Sequence, residues 1–593
     1  MPDFIKGFFL FASVFSAASL IAQNKTSQQD VTDNKIIIYQ MMTRLFGNKN
    51  TTNRFYGSIE ENGVGKFNDI TNTALDSLKA LGITHMWYTG VIAHATMTDH
   101  AAFGIRTDDP DVVKGRAGSP YAVKDYYDVD PDLAVNVNNR MQEYESLIKR
   151  THARSLKVLM DFVPNHVART YYSANKPKGV IGFGDKDDTS VAFSSQNDFY
   201  YILHKKFIVP TGVNAGGNNF HSLLKDGTFF ESPAKATGNN VFNEHPSIDD
   251  WYETVKLNYG VDYFDNQKKY FNPIPPVWIK MRDILQYWAK KGVDGFRCDM
   301  AEMVPVEFWH WVIPEVKKVN KALIFIGEAY DPTQYPKYFT KGNFDFLYDK
   351  VGLYDGLKRL IRNDSGATVQ DISKMWDATN MPFSSRFLRF LENHDEQRIA
   401  SGPFAGNPFL ALPAMVVTAT LSTSSVMIYF GQEIGEKGAE AEGFGGDDGR
   451  TTIFDYWGVP AHQQWMNGGK FDGGQLSETQ KRLRSFYKKL LNIAVSNIAI
   501  RKGIFKEIKN DDLNARQYAY WRIAAKQKIF IVANFDREKT LNTIIHFPDS
   551  FEKNNIEVKE LLSGRKITVE NINKGIPVAV KPSDAWIVEV KNK

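Results

Sequence analysis

The chain has 593 residues, enough for several domains and a large apolar core. Its residues are 43% hydrophobic and 24% charged, the balance of an ordinary globular protein, and its formal net charge is only +4. No basic stripe runs along the chain, so we expect no nucleic-acid partner. The single cysteine, Cys298, excludes an intramolecular disulfide.

Residues 1–22 have the pattern of a secretory signal. Lys6 precedes an apolar run from Gly7 to Ala22, and polar Gln23 follows. The run is too short to span a bilayer comfortably and ends in small residues. We expect cleavage and export to the periplasm or the exterior of a bacterial cell, since export without disulfides fits a bacterial enzyme better than a small disulfide-stapled domain. A membrane anchor is the alternative, but no stable membrane span is expected in the mature chain.

Apolar, β-rich runs recur along the chain with helical patterns between them, such as residues 277–290. Eight runs are candidate strands: 36–41, 83–88, 156–162, 293–297, 323–326, 344–347, 387–391 and 426–430. Eight strands alternating with helices predict an α/β fold, a (β/α)8 TIM barrel. We place the barrel in residues 31–166 and 277–496.

Two further regions depart from the alternating pattern. Residues 167–276 separate the third strand from the next helix, and a connection this long is not an ordinary loop. We expect an inserted subdomain over the barrel mouth. After a helix near 478–496, short alternating runs with turn signals predict a C-terminal antiparallel β-sandwich domain over 497–593.

Carboxylates follow two successive predicted strands. Asp299 comes after Gly295-Phe296-Arg297-Cys298, and Glu328 comes after Ile324-Phe325-Ile326-Gly327. Burying a carboxylate at the end of a buried strand costs free energy unless it is paired with an opposite charge or a hydrogen-bond donor. A carboxylate at such a position therefore has a partner or a catalytic use. Because the carboxyl ends of barrel strands meet at one face, the two acids predict a carboxylate pair for acid/base chemistry on a sugar acetal.

Four segments at the ends of the third, fourth, fifth and seventh predicted strands carry a family resemblance. They are Asp161-Phe162-Val163-Pro164-Asn165-His166, Gly295-Phe296-Arg297-Cys298-Asp299, Gly327-Glu328-Ala329 and Glu392-Asn393-His394-Asp395. In this order they resemble the motifs of the α-amylase family, glycoside hydrolase family 13. The resemblance covers nearly the whole mature chain, including the insertion and the C-terminal domain.

The resemblance implies a role for each acid. Asp299 matches the family nucleophile, Glu328 the acid/base, and Asp395 the third carboxylate, which stabilises the distorted transition state. Arg297 lies two residues before Asp299 on the same strand, so the two side chains face the same way, and we expect its charge to hold Asp299 ionised. Asp161 is expected to brace Arg297 or the strand ends, a structural role more than a chemical one.

The resemblance also implies sugar-binding residues. His166 and His394 match a pair that hydrogen-bonds hydroxyls of the sugar in the first subsite. Tyr121 resembles the tyrosine that stacks on the same sugar, although Tyr126 and Tyr127 compete for that assignment.

Departures from the family pattern restrict the interpretation. Glu302 and Met303 stand where true α-amylases often carry Lys-His, which weakens a strict endo-amylase assignment. Lys66 stands where a calcium-binding relative has Asp, and a cation there argues against that calcium site. Asn165 matches a ligand of the other family calcium site. We expect no cofactor for the chemistry; a structural calcium stays open, and no metal-ligand set is assigned.

The leading hypothesis is a retaining hydrolase of α-glucosidic bonds, α-1,4 bonds in malto-oligosaccharides or starch-like glucans, acting by double displacement. The alternatives are a transglycosylase or glucanotransferase on the same scaffold, and a non-catalytic glycan-binding relative. The last is disfavoured because Asp299, Glu328 and Asp395 are all retained. Linkage and chain-length preference, endo or exo attack, and oligomeric state depend on loops outside the motifs.

Overall fold

The computed structural model describes residues 35–376, 381–442, 446–525, 527–548, 556–569 and 572–592. The expected signal sequence, residues 1–22, lies outside these ranges. Among the described residues, no helix is long and apolar enough to cross a membrane.

Eight parallel strands form a closed barrel. They are β1 Ile37–Met42, β2 His85–Thr89, β3 Lys157–Phe162, β4 Gly295–Cys298, β5 Ile324–Gly327, β6 Phe346–Tyr348, β7 Phe387–Arg389 and β8 Ser425–Tyr429. Each strand pairs with the next along the chain, and β1 closes the barrel against β8, with Ile37 opposite Val426. The predicted barrel is therefore confirmed, and no predicted strand end differs from the observed one by more than two residues.

Helices follow the strands and surround the barrel. They are α1 Asn72–Leu81, α2 Arg140–His152, α3 Pro276–Lys290, α4 Val306–Lys317, α5 Tyr335–Thr340, α6 Asp355–Arg362, α7 Leu412–Thr420 and α8 Glu478–Ser496. Helix α3 illustrates why they form. Pro276 occupies the first turn, where a missing N–H costs nothing. Trp278, Met281, Leu285 and Trp288 recur at helical spacing and are all buried, so they form the face that packs on the barrel.

Side chains of each strand alternate between the barrel interior and the helix layer. On β4, Phe296 and Cys298 pack with the helix-facing core, whereas Arg297 points inward. An apolar cluster that includes Trp87, Leu159 and Tyr348 fills the interior. The barrel is thus a packed core on which polar groups are presented at one end.

The segment between β3 and α3 has little regular structure. Its short antiparallel pairs are His166–Ala168 with Thr254–Lys256, Tyr201–Ile202 with Ala234–Lys235, and Val261–Asp262 with Lys268–Lys269. The first pair continues from the carboxyl end of β3. This pairing places the inserted segment at the barrel mouth, as predicted.

The C-terminal region is an antiparallel β structure. Its strands are β9 Ile504–Glu507, β10 Gln517–Ala524, β11 Gln527–Asn534, β12 Leu541–Ile545, β13 Ile556–Glu560, β14 Lys566–Ile567, β15 Ile576–Val580 and β16 Asp584–Asn592. Six of them form a sheet in the order β9-β10-β11-β16-β13-β14, and β12 pairs with β15. Phe530 and Val588 of the larger sheet share one apolar cluster with Leu541 and Val578 of the smaller, so the two sheets pack as a sandwich.

Candidate active site

Arg297 lies at the centre of the polar groups above the barrel core. The register places it opposite Asp161 of β3, and the guanidinium is fully buried. Its Nη1 donates to Asp299 Oδ1 at 2.8 Å and to Asp161 Oδ1 at 3.3 Å. Its Nη2 lies 2.7 Å from Glu328 Oε2, and its Nε donates to Tyr348 Oη at 3.2 Å. One cation therefore contacts three carboxylates carried by neighbouring strands.

Glu328 is held at both carboxylate oxygens. Its Oε2 accepts the backbone N–H of Met300 at 2.7 Å, and its Oε1 accepts the Tyr330 hydroxyl at 2.6 Å. Met300 adopts a left-handed backbone conformation with φ +41°, which is uncommon for a side-chain-bearing residue. Glu302 accepts the backbone N–H groups of Tyr330 and Asp331, both at 3.1 Å, and so holds the loop that follows β5.

His394 connects the carboxylate group to a tyrosine. Its Nε2 lies 2.5 Å from Tyr121 Oη and 3.1 Å from Asp395 Oδ2, and its Nδ1 lies 2.7 Å from Gln40 Nε2. The Tyr121 and His394 rings stack at 5.2 Å. Burial, and then the charge on Arg297, lower the pKa of His394 well below its ordinary value. The ring is neutral at physiological pH and can exchange hydrogen bonds with a hydroxyl.

A cavity of about 260 Å³ opens beside these groups, near the lower end of the range for ligand pockets. Six of the seven predicted site residues line it, namely Tyr121, His166, Asp299, Glu328, His394 and Asp395. Arg297 lies beneath Asp299 and Glu328 and contacts both. Tyr126 and Tyr127 are outside the lining. Both are buried, so of the three candidate tyrosines Tyr121 is the one that lines the pocket.

Several lining residues were not predicted. Lys114 lies 3.1 Å from Glu253 Oε2, and the Trp251 ring packs 5.2 Å from the His166 ring. Tyr330 also lines the pocket. Tyr330 could have been found from its position two residues after Glu328, whereas the other three lie in irregular segments with no motif.

The site has more carboxyl groups than the single Arg297 cation can neutralise. Burial raises the pKa of Asp161 to about 6, although the Arg297 charge opposes the rise. Burial, and then the charge on Glu328, raise the pKa of Asp395 to about 7. The Asp395 side chain is 38% exposed, so water in the pocket screens part of this effect.

Asp299 follows the same trend. Burial raises its pKa well above the ordinary value, the Arg297 charge opposes that rise, and the Glu328 charge adds to it. The expectation that the Arg297 charge holds Asp299 ionised is therefore opposed by burial, which raises the pKa of Asp299 by more than that charge lowers it. Asp299 and Asp395 each interact with neighbouring carboxyls, so their protons are lost in steps that belong to the group and not to a single residue.

The residues around Asn165 do not fit a calcium ion. Asn165 Oδ1 accepts a hydrogen bond from Lys256 Nζ at 2.7 Å, and Lys256 is buried opposite His166 in the short sheet of the insertion. A dication at this oxygen would meet Lys256 Nζ, a donor whose pKa burial lowers to about 7, in place of a carboxylate ligand. At the other expected position, Lys66 Nζ donates to the carbonyl oxygen of Asp132 at 2.5 Å. Within the described ranges, no group of three or more Asp, Glu, His or Cys side chains could hold a metal ion.

Known proteins resemble this chain over most of its length. The family model described as alpha amylase, catalytic domain, matches residues 43–522. Alpha-amylase 3 of Dictyoglomus thermophilum is 24% identical over 565 residues, 91% of this chain and 91% of that protein. A cyclomaltodextrinase of a Bacillus species is 21% identical over 523 residues, 84% of this chain and 73% of that protein.

Solved structures share the fold. The noncanonic maltogenic alpha-amylase AmyB of Thermotoga neapolitana superposes with a TM-score of 0.60 at 20% identity, over 94% of this chain and 99% of that one. The range that the family model matches contains every pocket residue described above.

The raised pKa of Asp395 predicts a pH-dependent stability. Between its unfolded pKa near 4 and about 7, the folded chain keeps a proton that the unfolded chain loses, so Asp395 destabilises the fold as pH rises through this window. Asp395→Asn removes that titration. We expect its melting temperature to exceed the wild-type value at pH 8 by on the order of 1–3 °C, and by less at pH 5.

Calorimetry at both pH values measures the difference. Asp511→Asn, at an exposed position of the C-terminal domain, is the matched control and should shift little at either pH. An Asp395→Asn difference that is the same at pH 5 and pH 8 would contradict the proposed titration.

Proposed function

Since this chain belongs to the α-amylase family of glycoside hydrolases, we propose that it is a retaining enzyme that cleaves α-1,4-glucosidic bonds in malto-oligosaccharides or starch-like glucans. The observation that carries the proposal is the contact of one buried guanidinium with both Asp299 and Glu328 beside a pocket. Such a pair supplies the nucleophile and the acid that a double displacement needs.

In the first step, an Asp299 oxygen attacks the anomeric carbon and forms a glycosyl ester while the bond to the leaving oxygen breaks. Glu328 gives its proton to that oxygen. Arg297 binds Asp299 Oδ1 and so orients the carboxylate, and the Met300 N–H orients Glu328 through Oε2. The Tyr330 hydroxyl donates to the other oxygen of Glu328, Oε1, and so fixes the carboxyl at both oxygens.

In the second step, the Glu328 carboxylate takes a proton from water, and the water oxygen attacks the anomeric carbon and releases Asp299. The same step with a sugar hydroxyl in place of water is transglycosylation, the alternative function. The products formed from maltoheptaose at high substrate concentration distinguish the two.

The remaining pocket residues hold the sugar in this proposal. The Tyr121 ring provides a face for stacking. His394 and His166 have pKa values lowered by burial, His166 to about 3, so both rings are neutral and can bind hydroxyl groups. Asp395, next to His394 and partly exposed to the pocket, is placed to accept hydrogen bonds from the same sugar.

We also propose that the enzyme is exported. The apolar run from Gly7 to Ala22 after Lys6 supports this.

Two substitutions test the roles of the acids. Asp299→Asn cannot form the glycosyl ester, so turnover of maltoheptaose should fall by about ten-thousandfold or more. Glu328→Gln should also lose turnover of maltoheptaose. It should still release fluoride rapidly from α-glucosyl fluoride, because that substrate needs no acid in the first step.

Stopped-flow release of fluoride and the steady-state rate on maltoheptaose are the two measurements. Glu315→Gln, at the solvent face of α4 in a surface pair with Lys318, is the matched control and should change neither rate. Equal losses on both substrates in Glu328→Gln would show that Glu328 is not the acid.

The Lys256–Asn165 contact predicts stability without calcium. We expect EDTA and calcium chloride to leave the wild-type melting temperature unchanged, because Lys256 Nζ already donates a hydrogen bond to the Asn165 oxygen. Lys256→Met leaves that buried oxygen unpaired and should cost about 1–3 kcal/mol of unfolding free energy.

Chemical denaturation measures this loss. The matched control is Lys269→Met, which breaks a more exposed pair with Glu307 and should cost about 1 kcal/mol or less. A rise of several degrees in the wild-type melting temperature on adding calcium would refute the proposal.

A further inference from the structure

The loop that follows β4 and the loop that follows β5 are joined on both sides of Glu328. The Met300 N–H donates to Glu328 Oε2 at 2.7 Å, and the Ala301 N–H donates to the Glu328 carbonyl oxygen at 2.9 Å. In the opposite direction, Glu302 Oε2 accepts the backbone N–H of Tyr330 and that of the next residue, each at 3.1 Å. These hydrogen bonds hold Tyr330 at a fixed position relative to Glu328.

We propose that Tyr330 is a positioning residue for the acid/base Glu328 and that Glu302 holds Tyr330 in place. In this proposal the Tyr330 hydroxyl confines the catalytic proton to one oxygen of Glu328, Oε1, and directs it to the leaving oxygen. Neither Tyr330 nor Glu302 belongs to the four motifs, and Glu302 stands where true α-amylases often carry lysine. The inference rests on the proposed function, in which Glu328 is the acid.

The two carboxyl oxygens of Glu328 have different surroundings. Oε2 accepts the Met300 N–H and lies 2.7 Å from Arg297 Nη2, which is a permanently charged donor. A proton on Oε2 would point at one of these two donors, so the acid form of Glu328 carries its proton on Oε1. Within the described ranges, only the Tyr330 hydroxyl donates to Oε1, at 2.6 Å.

The Tyr330 hydroxyl acts as a donor throughout the working pH range. Burial, and then the charge on Glu328, raise the pKa of Tyr330 well above its ordinary value, so the phenol does not ionise. Its hydrogen takes one of the two lone-pair positions of Oε1 and leaves the other for the catalytic proton. A hydroxyl that donates to a carboxylate also forms a charge-assisted hydrogen bond, which is stronger than a bond between neutral groups.

This arrangement assists both steps of the double displacement. In the first step the Oε1–H bond breaks, and the proton passes to the glycosidic oxygen, which keeps the electron pair of its bond to the anomeric carbon. In the second step Oε1 takes a proton from water, and the water oxygen bonds to the anomeric carbon as the Asp299 ester bond breaks. The same oxygen gives and receives the proton, so a donor that fixes its geometry serves both.

Tyr330→Phe removes the hydroxyl and keeps the ring, and its effect should depend on the leaving group. We expect kcat/KM to fall by about 10–50-fold on phenyl α-maltoside, whose leaving oxygen is basic and needs the acid. On 2,4-dinitrophenyl α-maltoside, which needs little acid, the loss should stay below about threefold. Neither substrate has a sugar on the leaving side, so a lost sugar contact there cannot cause the difference. The rate retained on the dinitrophenyl substrate also shows that the variant is folded.

The pH profile is a second readout, which a merely structural role would not move. A hydrogen bond donated to the carboxylate favours the ionised form, so its loss favours the protonated form. The alkaline limb of kcat/KM on phenyl α-maltoside should therefore move to higher pH in Tyr330→Phe. Tyr201→Phe is the matched control, because the Tyr201 hydroxyl also donates to a carboxylate, Asp187 Oδ2 at 2.9 Å, but in the inserted segment. It should change neither the rates nor the limb.

Substitutions at Glu302 test how Tyr330 is held. Glu302→Gln keeps an oxygen that can accept both N–H groups, so it should behave like the wild type. Glu302→Met removes the acceptor and should lower kcat/KM on phenyl α-maltoside by about 3–10-fold, again with little loss on the dinitrophenyl substrate. In the Tyr330→Phe background, Glu302→Met should add no further dependence on the leaving group, because the hydroxyl that it positions is gone.

Equal losses on the two aryl maltosides in Tyr330→Phe, or no loss on either, would overturn the proposal. An equal loss on both in Glu302→Met would overturn the role of Glu302. Failure of the proposed function gives a different result, because Glu328→Gln would then lose maltoheptaose and α-glucosyl fluoride equally. A normal Tyr330→Phe variant beside a Glu328→Gln variant that spares only α-glucosyl fluoride would show that Glu328 is the acid and that Tyr330 does not position it.

Discussion

The buried guanidinium of Arg297 determines the arrangement of the site. A cation inside a barrel is tolerated only when anions and hydrogen bonds compensate for its lost hydration. Here the compensation comes from Asp161 on the neighbouring strand, from Asp299 directly after β4, and from Glu328 after β5. The three acids are far apart in the chain, and barrel closure brings them to one cation. Burial and this crowding of carboxyl groups raise the pKa values of Asp299 and Asp395.

The inserted segment converts this polar cluster into a pocket. It begins at the end of β3 and is pinned there by the pairing of His166 with Lys256 and by the contact of Lys256 with Asn165. From the same segment, Trp251 and Glu253 reach the pocket and cover part of it. Covering the cluster lowers its exposure to water, and that desolvation is the main cause of the raised carboxyl pKa values. Fold and chemistry are therefore coupled through the insertion.

Much of this arrangement was predictable from local patterns. Buried parallel strands are short apolar runs, so all eight were located within two residues at each end. Acids and histidines at strand exits converge at one barrel face, so Asp299, Glu328, His394 and Asp395 were found together.

The missed features have a common physical cause. Lys114, Trp251 and Glu253 lie in irregular segments. In such segments no periodicity of the sequence indicates which way a side chain points. Asn165 belongs to a motif and could be identified from the sequence. Its hydrogen-bond partner Lys256 lies far along the chain, and only the tertiary packing brings the two together. The effect of Arg297 on Asp299 was judged from proximity alone. The competing cost of burial appears only once the barrel and its insertion surround both groups.

The central claim is that Asp299 and Glu328 act as a nucleophile and an acid on either side of one glycosidic bond. Two inversions at the anomeric carbon preserve its configuration. Proton NMR of maltotriose during the first minutes of hydrolysis, before mutarotation, follows the new reducing end directly. The account predicts that the α-anomer appears first and that the β-anomer grows in only by mutarotation. A β-anomer formed first would contradict the double displacement and the roles assigned to both acids.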